Sequence, residues 1–457
     1  MKPVHILHLY NRIGVGISPK ELKRLLKKSK KKVIEELFEN SKKTTPIQVD
    51  ITHLKDIKPK DLRNSDFRQK INKISRKKIE EFSNLWFQRI LNPKQILREK
   101  MTLFWTNHFV CQNNQIHFIQ QYHNTVRANA LGNFGDFTKA IAKEPAMLAY
   151  LNNKQNKKGS PNENFARELM ELFTLGQDQY TEKDIKEAAR AFTGYNNDYK
   201  GNFVFRKRQH DVEPKTFFGK TGNFTGDDII DIILEKKECA TFICKKIYAY
   251  FVNDKINEQH INEMISVFYK DYNIESLMRF VLLSDWFYDE ENIGTKIKSP
   301  MEFVAGIYTI VPFEFINPRQ MTVVQRILGQ ILMRPPNVAG WKTGKYWIDS
   351  NTIVTRLRLP SVLLNNAGIT YLDEQNMTPK MEQIKKWRNK GKQYFKIKPN
   401  WDTFNQNFKK YTHKELQEHL LLTKVNSSTI GELSTKNNLP LKDFCVQLMS
   451  LPEYQLC

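Results

Sequence analysis

Cysteine is scarce in this sequence, and its distribution excludes two kinds of site. The chain has 457 residues and only five cysteines. Their number is odd and no two of them form a CxxC pair, so the pattern predicts neither a disulfide framework nor a thiolate metal site. A reducing cytoplasm is the compartment that this usage favours. The five are Cys111, Cys239, Cys244, Cys445 and Cys457.

Long apolar segments are also lacking. No window approaches the ~18 uninterrupted apolar residues that a membrane-spanning helix requires, so we expect no membrane span. The beginning of the sequence, MKPVHILHLYNRIGVG, mixes His, Asn and Arg among its apolar residues. It has no continuous apolar region followed by small residues, as a secretory signal would. The sequence therefore predicts a soluble, cytoplasmic protein.

The common catalytic signatures are missing as well. The sequence contains no HExxH, GxSxG, P-loop or protein-kinase motif. Zincin proteases, esterases, nucleotide hydrolases and protein kinases therefore have no support from motifs. Two classes remain: an enzyme without a familiar signature, or a binding module whose polar residues are structural.

Acidic residues are few relative to basic ones. The chain has 72 Lys and Arg against 49 Asp and Glu, and its formal net charge is +23. A basic protein can bind nucleic acid or another anionic surface. Most of the basic residues are Lys, however, in runs such as 23–32 and 379–400. Base recognition favours Arg, whereas solvated helix faces accept Lys, so we expect no specific nucleic acid partner.

Helical periodicity dominates the sequence that is present. Apolar residues recur at spacings of three and four in many segments, which predicts a mainly α protein with ten or more helices. One such segment, LREKMTLFWTNHF, places a histidine on the apolar face of its helix. That face consists of Leu97, Met101, Phe104, Trp105 and His108.

The sequence predicts a single helical unit over residues 1–457. No internal repeat divides the chain, and no low-complexity tract occurs beyond the Lys runs. Two Lys-rich polar stretches, near 40–62 and 375–400, are the places where a sub-boundary or an excursion from the core would fall.

One region departs from the helical pattern. Residues 194–226 are rich in Gly, Asn and aromatic residues, and NFVFR alternates after a Lys200–Gly201 turn signal. We expect a small β-hairpin or ordered loop inserted into the helical domain. Loops of this length within a compact fold are uncommon unless they have a function.

Three SPxE sequences predict capping boxes at helix N-termini. In each, the Ser side chain would accept from the amide three residues later, Pro would occupy the first helical position, and Glu would bond back to the Ser amide. The Glu residues therefore have a structural explanation that needs no chemistry. They are Glu21, Glu163 and Glu302.

The segment SPNENFARELMELFTLG, residues 160–176, concentrates charged residues on one helix. Its apolar residues define a buried stripe, and Asn164, Arg167, Glu168 and Glu171 share the opposite face. Glu168 lies nearest the edge of the core. Arg167 and Glu171 could form an ordinary surface ion pair, worth ~0.3 to 0.5 kcal/mol.

Long motifs give the sequence a resemblance to a known family. They are FWTNHF, PNENFARELMELFTLGQDQYTEKDIKEAARAFTGY, HDVEPKTFFG, KSPMEFV and PPNVAGWKTGKYWIDSNTIVTRL. Their order and spacing resemble the large bacterial family named domain of unknown function 1800 (DUF1800), over nearly the whole chain.

The resemblance supplies no mechanism but implies a setting. Members of the family are often exported, although this sequence has no recognisable signal. They are often encoded beside a second uncharacterised family that is similar to alkaline phosphatases and sulfatases. The resemblance therefore implies a phosphatase- or sulfatase-like partner protein encoded nearby.

The polar residues of these motifs are of the types found in an acid–base or metal-assisted site, such as that of a hydrolase. Glu168 and Glu171 are one turn apart, and if both are enclosed their repulsion would raise the pKa of one of them, which could then act as an acid or base near neutral pH. The catalytic candidates are His108, Glu168, Glu171, His210 and Asp211, and the substrate-binding candidates are Asn107, Asn164, Arg167, Lys215, Asn337, Trp341 and Arg356.

Two hypotheses for function follow. In the first, the chain is an enzyme whose pocket lies between the His108 helix, the Glu168/Glu171 helix and the His210 loop. A divalent metal could bind there, with His108, Glu168 and His210 as the candidate ligands. His108 and Glu168 would be buried partners of each other, because a buried imidazole or carboxylate is costly without one. In the second, the chain is a non-catalytic helical scaffold for the phosphatase-like neighbour, and the same residues are structural.

Overall fold

Helices form most of the structure, and strands pair only in small two-stranded sheets. The prediction of a mainly α protein is confirmed. Propensity and periodicity are local properties, which is why they could be read from the sequence. The computed structural model describes residues 1–52, 57, 61–365, 395–423, 425 and 439–457.

The first part of the chain is built from helices, and α10 and α12 contact the segment of concentrated charge. Helix α9 passes directly into a π-helix, Leu169–Thr174. The helices are α1 Pro3–Arg12, α2 Pro19–Leu25, α3 Lys30–Lys42, α4 Ser65–Leu91, α5 Ile96–His108, α6 Ile116–Asn129, α7 Phe134–Ala142, α8 Pro145–Tyr150, α9 Asn164–Glu168, α10 Glu182–Ala191, α11 Gly226–Leu234, α12 Lys237–Phe251, α13 Glu258–Phe268 and α14 Ile274–Leu283.

A second group of helices follows. These are α15 Pro300–Ile310, α16 Arg319–Ile327, α17 Ser350–Asn365, α18 Trp401–Phe408, α19 His413–Leu420 and α20 Leu441–Met449. Short 3₁₀ turns lie between the helices, at Asp61–Arg63, Asn153–Gln155, Lys207–Gln209, Asp285–Tyr288, Glu290–Asn292, Gly344–Trp347 and Pro452–Gln455.

Two segments with helical periodicity throughout, residues 21–38 and 134–151, are each divided into two helices. The first divides before Ser29, whose hydroxyl accepts from the Lys32 amide at 3.3 Å and starts α3. The second divides before Pro145, which occupies the first position of α8. Proline has no amide hydrogen to continue a helix but fits a new helix start, so the division follows from local chemistry.

The capping prediction holds in full at one SPxE sequence and in part at another. At α15 the Ser299 hydroxyl accepts from the Glu302 amide at 3.4 Å, and the Glu302 carboxylate accepts from the Ser299 amide at 2.7 Å. At α2 the Ser18 hydroxyl accepts from the Glu21 amide at 3.4 Å. The Glu21 carboxylate, however, binds Arg24 instead of the Ser18 amide.

At the third SPxE sequence the predicted capping box is wrong. Helix α9 begins at Asn164, with Glu163 at its N-cap, so Ser160 lies outside the helix. The Ser160 amide donates to the Lys157 carbonyl at 2.9 Å in a tight turn. The Glu163 carboxylate accepts from Arg167 one turn later at 3.3 Å.

The predicted insertion between residues 194 and 226 contains two β-hairpins. The first turns at Gly201, whose φ of +94° is a left-handed conformation that favours glycine. Phe217 of the second hairpin is fully buried, so the insertion packs onto the helices. Strands β1 Tyr195–Asn197 and β2 Phe203–Phe205 pair antiparallel, as do β3 Lys215–Phe217 and β4 Lys220–Gly222, and as do β5 Phe313–Phe315 and β6 Ile397–Pro399, which lie outside the insertion.

The buried apolar residues form two clusters that meet at α5. Met101 and Trp105 of this helix belong to the first cluster, with residues of α1 to α3 and of α6 to α14. Leu103, on the other side of α5, belongs to the second cluster, with α4 and the helices from α15 onward. Because α5 is buried on nearly all sides, the polar residues it carries must find partners inside the protein.

The polar stretch near 40–62 is anchored where the structure describes it. The Ile47 amide donates to the Asn124 side chain at 2.9 Å, and the Val49 amide donates to Gln120 at 2.7 Å. Both acceptors lie on α6. The other stretch, near 375–400, falls outside the described residues up to position 394. That either stretch is a sub-boundary stays a prediction, as does the single unit over 1–457.

Within the described ranges, the structure contains no helix that combines the length and the apolar character needed to cross a bilayer.

His123 on α6 gives a test of how buried imidazoles affect stability. Its ring packs against Phe82 and Trp86, with ring centroids 5.1 and 4.3 Å away. Neither ring nitrogen has a hydrogen-bond partner in the part of the chain that the structure describes. Burial, followed by the charge of Arg127, places the pKa of His123 well below its usual value.

We expect His123→Leu to raise the free energy of unfolding by about 1 kcal/mol near pH 7, because it removes two unpaired buried polar atoms. In the natural protein the unfolded imidazole takes up a proton below its ordinary pKa and the buried one does not. The free energy of unfolding therefore decreases as the pH is lowered, by up to about 1.4 kcal/mol per pH unit for this residue. Urea unfolding should show the variant's advantage growing below about pH 6.5, and equal pH slopes would contradict this account.

Candidate functional site

His108 ends α5 and is buried, and both of its ring nitrogens are in use. Nε2 lies 3.0 Å from the Phe173 carbonyl oxygen. A carbonyl only accepts, so Nε2 carries the proton and Nδ1 is the acceptor. Nδ1 receives a hydrogen bond from Lys246 Nζ at 3.2 Å. Burial, then the charge of Lys246, places the pKa of His108 well below its usual value, so the ring is neutral.

His108 and Lys246 together bind the end of the π-helix. Lys246 Nζ also donates to the Leu172 carbonyl at 3.0 Å, next to the Phe173 carbonyl that His108 binds. Burial lowers the pKa of Lys246 to about 8. The last carbonyls of a helix lack partners within it, and a cation beside them is favourable. The pair therefore caps the helix formed by α9 and the π-helix, which contains the predicted site residues Asn164, Arg167, Glu168 and Glu171.

Glu168 is the least constrained of the predicted catalytic residues. It is half-buried at the junction of α9 and the π-helix, and π-helices occur frequently at functional sites. Burial, followed by the charge of Glu171, raises the pKa of Glu168, against the effect of Arg167. Glu171 itself accepts from Gln177 and from Tyr180, each at 3.0 Å.

Arg167 is committed to neighbouring carboxylates. Its guanidinium donates to both oxygens of Glu182, at 2.8 and 2.9 Å, and to Glu163 at 3.3 Å. The expected i,i+4 pair with Glu171 is thus replaced by a pair with α10. Asn164 is exposed, and its amide donates to the Asn162 side chain at 3.2 Å.

The His210 loop is tied to the helices beneath it. His210 Nδ1 donates to the Thr193 carbonyl at 3.0 Å. Asp211 accepts from Arg190 through two bonds of 2.8 and 3.3 Å. Lys215 Nζ is buried and donates to the Asp211 carbonyl at 2.6 Å, among other loop oxygens. These contacts hold the insertion in place, and each uses a residue predicted for catalysis or binding.

The PPNVAGW segment is clamped by Asn107. The side-chain amide of Asn107 donates to the Trp341 carbonyl at 3.0 Å and accepts from the Trp341 amide at 2.8 Å. Gly340 has φ of +80°, and a Cβ there would lie 2.3 Å from Asn107 Oδ1, so the close approach requires glycine. Asn337 stabilises the turn by accepting from the Ala339 amide at 3.0 Å.

Arg356 is fully buried and does not contact solvent. Its Nε donates to Gln455 Oε1 at 2.8 Å, and its Nη2 donates to the Lys298 carbonyl at 2.7 Å. The guanidinium also lies 4.9 Å from the centre of the Phe303 ring. Burial lowers the pKa of Arg356 to about 10.

The structure therefore brings only some of the predicted residues together. His108 and Glu168 meet the same π-helix, but the ring nitrogens of His108 contact Phe173 and Lys246 instead of Glu168. His210 has its own partner in Thr193. Among the described residues no group of three or more His, Cys, Asp or Glu is arranged to hold a metal ion.

Two groups near these helices with shifted pKa values were missed by the sequence analysis. Glu144, at the N-cap of α8, accepts from Thr125 at 2.5 Å, and burial raises its pKa to about 7. Lys246 was missed because it lies on an otherwise ordinary amphipathic helix. An acidic residue before Pro and a Lys on a helix are both common at surfaces, so neither position carried a sequence signal.

Glu302 caps α15 and also forms ion pairs with two lysines. Besides the Ser299 amide, it binds Lys100 and, at 2.9 Å, Lys296. Lys100 and Glu302 are both almost completely buried. The neighbouring cations hold the pKa of Glu302 well below its usual value in spite of burial, and burial lowers the pKa of Lys100 to about 8.

A large cavity lies away from all of these residues. It has a volume of about 1420 Å³ and is bordered by the end of α4, by β5 and β6, and by the start of α18. None of the predicted site residues lines it. The cavity therefore gives no support to a substrate pocket at the predicted site residues.

A family model described as "Protein of unknown function (DUF1800)" matches residues 8–456. The match covers nearly the whole chain, so the chain belongs to this family. No curated protein and no solved structure matches the chain.

Proposed function

We propose that this member of the DUF1800 family is a non-catalytic helical scaffold that docks onto a protein partner. The observation that supports this most directly is how the motif side chains are used. The polar groups of Asn107, His108, Arg167, Asp211 and Arg356 bind other parts of the same chain. A group that already holds a loop or a helix end is unavailable to a substrate without local unfolding.

The partner we propose is the phosphatase- or sulfatase-like protein that the family resemblance implies. The formal charge of +23 would attract an acidic partner and speed its association. In this proposal the polar residues of the long motifs stabilise the fold, which keeps the docking surface rigid. The exposed lysines and arginines contact the partner protein.

A second candidate is an acid–base enzyme centred on Glu168. What favours it is that burial raises the pKa of this half-buried carboxyl, while Glu171 lies one turn away. Glu168 would be the acid or base, near His108 and the π-helix, and hydrolysis is the reaction class we would test first. A divalent metal has no ligand group of the required kind among the described residues, so this candidate proceeds without one.

One experiment separates the two candidates. The purified chain is combined with the purified phosphatase- or sulfatase-like neighbour and examined by sedimentation velocity, and the chain alone is assayed on p-nitrophenyl phosphate, sulfate and carboxylic esters. The scaffold proposal expects a complex, no turnover by the chain alone, and the same complex with Glu168→Gln.

Turnover by the chain alone that disappears in a folded Glu168→Gln variant would replace the scaffold with the enzyme. Absence of any complex at concentrations of about 10 μM, where a docking interaction of ordinary strength is detectable, would overturn the proposed partnership.

A further inference from the structure

A shallow groove runs along the outer face of α4. It has a volume of about 610 Å³, and we call it the α4 groove. Most of its lining residues recur at spacings of three and four along α4, so they form one stripe about 16 Å long. Arg334, from the segment after α16, faces this stripe. The lining residues are Gln69, Asn72, Lys73, Arg76, Lys77, Glu80 and Arg334.

The charges of the α4 groove are unbalanced. It has four cations, Lys73, Arg76, Lys77 and Arg334, and all four are exposed. Its one carboxylate, Glu80, accepts a hydrogen bond from the Thr322 hydroxyl at 3.2 Å. None of the four cations pairs with a carboxylate in the described part of the chain.

Other cations close by do have partners. On the adjacent face of α4, Lys78 binds Glu81 at 2.9 Å. Arg89, near the end of the same helix, donates to the Thr45 and Pro46 carbonyls. Three cations of α4 without an ion pair among the described residues therefore lie along the groove, and unpaired like charges at helical spacing repel one another. An anionic ligand would relieve that repulsion.

Hydrogen bonds to neighbouring segments of the chain fix both walls of the groove. The Ser75 hydroxyl accepts from the Ile116 amide at 2.6 Å, and Asn72 accepts from Gln115 at 3.0 Å. On the other wall, Gln112 donates to the carbonyl of Pro335, the residue after Arg334. The backbone that carries the cations is therefore fixed before a ligand binds, which lowers the entropic cost of binding.

The lining favours an acidic protein segment over a nucleic acid. Single-stranded nucleic acids bind proteins through aromatic side chains on which bases stack. No aromatic residue is among the described lining residues of the α4 groove. Arg76 and Arg334 can each bind a carboxylate through two hydrogen bonds. Cations one turn apart on α4 are separated by about 5 Å, which matches carboxylates at three- and four-residue spacing on a partner helix.

We propose that the α4 groove is the docking surface for an acidic segment of a partner protein, with carboxylates one helical turn apart. This deepens the proposed scaffold function and rests on it for the biological role of the groove. Glu80 at one end would repel a carboxylate, so the acidic residues should lie toward Lys73 and Arg76.

The test uses a fluorescein-labelled helical peptide of about 14 residues with Glu at three- and four-residue spacings. Fluorescence anisotropy would measure its Kd for the full chain and for the double variant Arg76→Glu/Lys77→Glu. The matched control is Lys27→Glu/Lys31→Glu, which changes two exposed cations elsewhere and alters the net charge equally. Circular dichroism and thermal unfolding would check that each variant is folded.

We expect the groove variant to weaken binding about tenfold or more and the control to weaken it less than about twofold, because opposed charges in contact matter more than net charge. Equal loss in both variants would show diffuse attraction and overturn the proposal. Tighter binding of a single-stranded oligothymidylate of the same net charge would also overturn it.

Failure of the groove and failure of the scaffold function can be told apart. If the phosphatase-like partner binds the natural chain and the groove variant equally, the scaffold stands and the α4 groove is wrong. If the acidic peptide requires the groove but no partner complex forms, the groove stands and the proposed partnership is wrong.

Discussion

Glu302→Gln should lower the free energy of unfolding by about 3 to 5 kcal/mol, the range for breaking a buried ion pair by removing one partner. The variant keeps the size of the side chain but leaves Lys100 charged and buried without its carboxylate. Lys296 would lose the same partner. Equilibrium unfolding in urea, followed by circular dichroism, is the measurement.

The matched control is Glu21→Gln, at the same position of another SPxE sequence. Glu21 binds Arg24 with both side chains more than a third exposed. An exposed pair of this kind is worth about 0 to 1 kcal/mol, so the control should change stability by no more than that. If both variants lose the same small amount, Glu302 is only a capping residue and the buried pair is not stabilising.

The pH dependence of Glu302 follows from the direction of its pKa shift. Its pKa is held below the ordinary value by Lys100 and Lys296. The stabilisation is therefore present above the pKa of an unfolded Glu, about 4.3, and is lost as the pH falls toward the lower folded value. The difference between the natural protein and Glu302→Gln should shrink in acid.

His108→Leu should lower the free energy of unfolding by about 2 to 4 kcal/mol, because it leaves the buried Phe173 carbonyl without its partner and removes one of the two hydrogen bonds that the Lys246 ammonium donates. Leu fills a similar space, so the loss would come from the hydrogen bonds and not from a cavity. The prediction treats His108 as a cap for the π-helix. A catalytic His108 would instead allow a large loss of activity with little loss of stability.

A double-mutant cycle with Lys246→Met isolates the cap. Met has an unbranched side chain of similar size and removes the ammonium group that donates to His108 Nδ1. We expect His108→Leu to cost about 1 to 2 kcal/mol less in the Lys246→Met background, which is a typical coupling for residues in contact. Additive effects would mean that the two residues do not act together, and the scaffold proposal would lose its clearest structural example.

The three SPxE sequences show where sequence reasoning stops. All three have the residues for a capping box, yet the full box forms only at Ser299 and Glu302. At Ser18 the carboxylate of Glu21 finds Arg24, and at Ser160 the helix starts later. A capping box competes with other partners for the same carboxylate, and those partners depend on tertiary contacts.

The candidate site shows the same limit. The sequence correctly places His108 on an apolar helix face and implies that it needs a partner. It could not identify Phe173 or Lys246, which lie 65 and 138 positions away. Glu144 and Lys246 carry no local pattern, because burial of a charged residue is decided by which helices pack over it.

By itself, the sequence determined the mainly α architecture, the hairpin insertion, the basic character and the resemblance to the family, because each of these depends on composition, local periodicity or long motifs. Only the tertiary structure decided which polar side chains already form hydrogen bonds or ion pairs within the chain. Lys100 and Glu302, 202 positions apart, meet only because the tertiary fold brings the Lys100 side chain of α5 to the first turn of α15. A hydrogen bond needs its two atoms within about 3 Å, and helix spacing fixes such distances only between neighbouring turns.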